Sequence, residues 1–113
     1  MIVLTYNKLI RDFIPDIIKA QGNLPEVSEL SEEGFLMELD RKLLEETKEY
    51  LDNGCVEELV DIYQIILTII ESRGISFEQF ESLRKKKAQN KGEFKNHLFL
   101  SRVIKPIESK DGN

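Results

Sequence analysis

Apolar residues recur at helical spacing along most of the chain, and the interruptions fall at glycine, proline and asparagine. The first helix this pattern predicts is short, Asp12 to Gln21, with Pro15 tolerable only in a first turn and Gly22 as its stop. A loop containing Leu24-Pro25 follows. The second helix runs from Glu32 to Asp52: Glu32 and Glu33 suit the positive end of a helix, and Leu36, Leu39, Leu43 and Tyr50 share a face. Asn53-Gly54 breaks it. The third extends from Cys55 or Val56 to Arg73, before Gly74. Ser76 and Gln79 have capping-box spacing and open a fourth helix, which carries Phe77, Phe80 and Leu83, then the basic run Arg84-Lys85-Lys86-Lys87, and closes at Gly92. Beyond it, "EFKNHLFLSRVIKPI" has no clear period, and the opening "MIVLTY" could form a strand but has no evident partner. The expected fold is therefore all-α, one domain over residues 1–105 with a flexible tail at 106–113.

The short break at Asn53-Gly54 forces the second and third helices into an antiparallel hairpin within a bundle of about four helices. On the third helix the apolar arc covers more than half the circumference, more than one hairpin partner and a short helix can bury. That excess predicts completion of the bundle by a homo-oligomer.

Composition narrows the function classes. With 113 residues, 41% hydrophobic and 33% charged, the chain is long enough for a core and is not disordered. A net charge of -5 argues against broad nucleic-acid backbone binding. The longest oily stretch, "IYQIILTII" from Ile62 to Ile70, is far short of the ~20 residues a membrane span needs. The opening residues lack a basic start followed by a sustained apolar run, so no secretory leader is expected. The lone cysteine, Cys55, makes neither an internal disulfide nor a redox pair and fits a reducing cytoplasm.

The acidic hairpin carries the candidate chemistry. "LLEETKEYLDNGCVEELVD", residues 43 to 61, holds seven carboxylates against one lysine. Like charges at helical spacing repel, so such a concentration calls for a compensating partner. Glu49 and Glu58 are equidistant from the turn, and so are Glu46 and Asp61; within each helix the partners stand three apart, on adjoining turns of one face. Four carboxylates are thus expected to converge. Hard oxygen ligands with no His or Cys nearby favour Mg²⁺, or Mn²⁺, over zinc. On a helical wheel Glu58 falls inside the apolar arc of Leu59, Ile62, Ile66 and Ile70, where an unpaired charge is costly. Glu46 borders the Leu39/Leu43/Tyr50 stripe, whereas Glu49 and Asp61 lie toward the polar side. Lys8 and Arg11, three apart before the first helix, offer an ammonium and a guanidinium fork to phosphate oxygens, and Lys87 and Lys91 offer a similar pair one turn apart. His97 has no relay partner in the pattern, Cys55 reads as a packing residue or helix start, and Tyr50 and Tyr63 read as core residues in preference to rings that stack on a base.

"EETKE" at 45–49 and "EELVD" at 57–61 resemble the EExxE and ExxD motifs of MazG-like, all-α nucleoside triphosphate pyrophosphohydrolases, with a shorter spacer than is typical. "YNKLIRDFIPDII" at 6–18 is similar to "YNKLVRDKIPEII" of the related phosphoribosyl-ATP pyrophosphohydrolase-like branch, with Phe13 where lysine is usual. "NKGEFKNHLFL" resembles that family's "RGGF…RIFL" segment, with Lys91 for its arginine and Glu93 for its second glycine. The resemblance spans Tyr6 to Leu100. It implies Mg²⁺-dependent hydrolysis of a nucleoside triphosphate to the monophosphate and pyrophosphate, with Glu46, Glu49, Glu58 and Asp61 as metal ligands. Glu45, matching the first Glu of the motif, is then the candidate to orient or deprotonate the attacking water. The resemblance also implies a dimer or tetramer whose neighbouring chain can complete the site. Two readings compete: the phosphoribosyl-ATP pyrophosphohydrolase of histidine biosynthesis, and a non-enzymatic helical interaction module.

Overall fold

Four helices make up the regular structure of residues 1–107, the described part of a computed structural model; of the expected tail at 106–113, residues 108–113 lie outside the described residues. These are α1 (Ile14–Ala20), α2 (Glu32–Asn53), α3 (Val56–Ser72) and α4 (Phe77–Lys91). The fold is all-α, with no strand among the described residues, so "MIVLTY" stays irregular. Each helix lies within two residues of its expected limits because the signals that bound it are local. Pro15 sits in the first turn of α1, where its missing N–H costs no hydrogen bond. Ser31 caps α2, its Oγ accepting from the Gly34 N–H at 3.1 Å. Ser76 and Gln79 form the reciprocal box ahead of α4: the Ser76 N–H donates to Gln79 Oε1 at 2.9 Å, and the Gln79 N–H donates to Ser76 Oγ at 3.1 Å.

The turn between α2 and α3 positions the acidic residues. Gly54 adopts a left-handed φ of 66° and donates its N–H to Tyr50 O at 2.7 Å, ending α2. Asn53 Oδ1 then accepts from the Cys55 N–H at 2.9 Å, and α3 starts one residue later. With only two residues between the helices, α3 must fold back along α2, and these are the two helices that pack on each other.

The chain forms two compact units, Met1–Glu81 and a second beginning at Ser82. In the first, the core is small: Leu39 from α2 and Ile65 and Ile70 from α3 are its buried apolar side chains. Much of the apolar surface stays uncovered. Val56, Leu59, Val60 and Tyr63 form an exposed stripe along α3, and Met37, Leu44 and Leu51, seven apart, form another on α2. Tyr63 is therefore not a core residue: α2 cannot reach that side of α3. No helix among the described residues is long and apolar enough to cross a membrane. The second unit carries the later part of α4 and, over residues 92–107, chain without helix or strand, in which His97 adopts a φ of 56°.

Candidate metal centre

Glu45, Glu46 and Glu49 bring carboxylate oxygens to within 4.8 Å of one another. Their positions on neighbouring turns of α2 make this possible, and packing against α3 sets their depths. Glu46 is buried, at 6% exposure; Glu45 is half-buried and Glu49 exposed. Glu46 Oε1 lies 3.9 Å from Lys42 Nζ, one turn earlier, while its Oε2 is buried with no hydrogen-bond partner. Burial, and then the charges of Glu49 and Asp61, push the Glu46 pKa above its ordinary 4.5; Glu45 adds to this and Lys42 opposes it.

α3 contributes Asp61 and Glu58. Asp61 acts on Glu46 through its charge, in keeping with their equidistance from the turn, but its own Oδ1 is taken by Arg11 Nη2 at 2.6 Å. Glu58 points to the turn: its Oε1 accepts from Asn53 Nδ2 at 3.2 Å, and its Oε2 is a second buried carboxylate oxygen without a partner. Neither joins the 4.8 Å cluster, so the tight group comes from α2 alone and includes Glu45. The helical wheel made Glu58 the deepest acid, and in the structure it is Glu46. Glu58 lies in the first turn of α3 beside the exposed Val56 and Leu59, whereas Glu46 lies two turns back from the hairpin tip, against α3.

Of the candidate phosphate ligands, Lys8 has its Nζ 5.4 Å from the Tyr6 ring centroid, a cation–π distance. Arg11 is engaged with Asp61. Lys87 and Lys91 are exposed on α4 in the second unit. A cleft of about 220 Å³ adjoins the carboxylate cluster through Glu45; Tyr6, Lys8, Glu38, Arg41 and Lys42 line it as well. Arg41, Lys42 and Asn53 are residues that sequence reasoning passed over. For Lys42 the i to i+4 spacing to Glu46 was a usable signal, and for Asn53 the turn position was; Arg41 became visible only once residues 6–9 were seen to run past α2.

Compared with known proteins, the chain matches no family model, no curated protein and no solved structure.

The donor set still permits a chemical test. A buried carboxylate among like charges is relieved by a proton or by a cation. Three carboxylates without His or Cys fit a hard divalent cation, Mg²⁺ or Mn²⁺, and such an ion would offset the charge of the buried Glu46.

Proposed function

We propose that this protein is a Mg²⁺-dependent nucleoside triphosphate pyrophosphohydrolase. The observation that carries the reading is Glu46: buried, with one oxygen lacking a partner, between two carboxylates that close on it. Glu45, Glu46 and Glu49 would hold the ion, with Asp61 and Glu58 supplying further negative charge from the facing helix. When bound, the ion supplies charge screening for the triphosphate and polarises the α–β linkage. Glu45 both belongs to the cluster and lines the cleft, so it stands where it can orient the attacking water and accept its proton. The water oxygen joins one phosphorus of the α–β linkage, the bridging bond breaks, and nucleoside monophosphate and pyrophosphate leave. Arg11 pairs with Asp61, which ties the segment before α1 to the hairpin.

The same reading makes the protein a homo-oligomer, a dimer or tetramer. The exposed apolar stripes, Met37, Leu44 and Leu51 on α2 and Val56, Leu59, Val60 and Tyr63 on α3, support this reading. The free thiol of the exposed Cys55 suits a cytoplasmic setting.

The test is a product assay across ordinary, modified and deoxy nucleoside triphosphates and phosphoribosyl-ATP, with Mg²⁺ and with chelator. Pyrophosphate released from at least one substrate, and only with metal, is the expected result. Orthophosphate alone, or no product from any, would refute it. A second reading, the non-enzymatic helical module, draws on the exposed stripe Val56, Leu59, Val60 and Tyr63, and predicts no turnover and no divalent-cation binding.

A further inference from the structure

We infer that the cleft beside Glu45 seats the diphosphate half of the substrate, the part that leaves as pyrophosphate, and that Lys8 and Arg41 grip it; this rests on the pyrophosphohydrolase reading. Size is the first argument. At about 220 Å³ the cleft falls below the ~300–1,000 Å³ that a drug-sized ligand fills, so it takes part of a nucleotide rather than all of it.

Charge decides which part. Lys8, Arg41 and Lys42 contribute three cations to the lining, and Glu38 and Glu45 two carboxylates, leaving one positive charge in excess beside a strongly acidic cluster. The net positive charge favours the anionic phosphate oxygens over a neutral nucleobase or sugar. Lys42 is drawn toward Glu46, at 3.9 Å. Arg41 meets Glu38 through Nε at 3.6 Å, which leaves the terminal nitrogens of its fork, and no hydrogen bond among the described residues occupies them. Lys8 has only the Tyr6 ring beneath its ammonium. The terminal nitrogens of Arg41 and the ammonium of Lys8 thus have no carboxylate partner among the described residues, and both residues line the one recess. Its position also suits the order of the chain of phosphates: Glu45 is shared by the cluster and the cleft, so a triphosphate with its α–β linkage at the cluster directs its terminal phosphates into the recess.

The experiment titrates inorganic pyrophosphate by calorimetry into the full chain saturated with Mn²⁺, comparing wild type with Lys8→Ala and Arg41→Ala. Each variant should bind pyrophosphate about tenfold more weakly, the loss of one charge-assisted hydrogen bond. Adenosine monophosphate, which carries no diphosphate, should bind all three alike. Lys8 and Arg41 are exposed, so both folds should survive; Arg41→Gln replaces Arg41→Ala if circular dichroism reports lost helix. Pyrophosphate affinity unchanged in the variants, or lost to the same degree as monophosphate affinity, overturns the assignment, as does a wild type that binds no pyrophosphate. Mn²⁺ uptake and nucleotide hydrolysis are measured on the same preparations. A wild type lacking both sinks the pyrophosphohydrolase reading, whereas uptake and turnover with unaltered pyrophosphate affinity in the variants sink the cleft alone.

Discussion

Glu46→Gln separates the cost of the acidic cluster from its use. In the metal-free protein Glu46 carries a buried oxygen without a partner, next to Glu45 and Glu49 and in the field of Asp61. Leaving such a group unsatisfied costs about 1–3 kcal/mol, and more when it is charged. Glutamine keeps the shape, removes the charge, and offers an N–H₂ to the neighbouring carboxylates. The variant should therefore melt higher than wild type in chelator near neutral pH, by about 4 °C for each kcal/mol relieved in a domain of this size. Acid has the same effect on the wild type. Because the folded-state pKa of Glu46 is raised, the native state holds a proton that the unfolded chain releases near pH 4.5, so metal-free stability falls as pH climbs from 4.5 through the raised value. Divalent metal acts in the opposite direction. A native-state ligand at about 100 times its dissociation constant adds ~2.7 kcal/mol, so Mn²⁺ should lift the wild type by about 10 °C and the variant by little. Melting curves at matched protein concentration, with chelator and with Mn²⁺, decide the matter. A variant less stable than wild type in chelator, or a wild-type melting temperature indifferent to both Mg²⁺ and Mn²⁺, would refute the reasoning.

Two further outcomes follow from the hairpin. Gly54→Ala should destabilise by about 1–2 kcal/mol, read from denaturant melts; an added Cβ meets nothing within 4 Å, so the cost comes entirely from the φ of 66°, and an unchanged midpoint would contradict the left-handed turn. Sedimentation at micromolar concentration should give a multiple of 13.1 kDa, and Val60→Glu with Tyr63→Glu, on the exposed α3 stripe, should reduce it; a wild-type monomer would remove the assembly.

The helices were legible because each of their ends is set within a few residues of chain. Gly54, Gly74 and the Ser76–Gln79 box act locally, and all three behave as the pattern implied. The candidate site was legible only in part, and the reason lies in what spacing can fix. Spacing assigns a residue to a helix face, and so it paired Glu46 with Asp61 across the hairpin, where the field of Asp61 is felt. It does not fix which neighbour a side chain prefers. Asn53, five residues before Glu58, draws that carboxylate to the turn, and Arg11, fifty residues from Asp61 in sequence, holds the other. These two partners break the mirrored symmetry of the four acids and leave the closest grouping to Glu45, Glu46 and Glu49 of α2. The consequence is chemical: with Asp61 paired to Arg11 and Glu58 turned to Asn53, the acid whose pKa is raised is Glu46, which the sequence pattern ranked second. The recess formed by Tyr6, Lys8 and Arg41 depends on the path of an irregular segment past α2, a contact with no period to announce it.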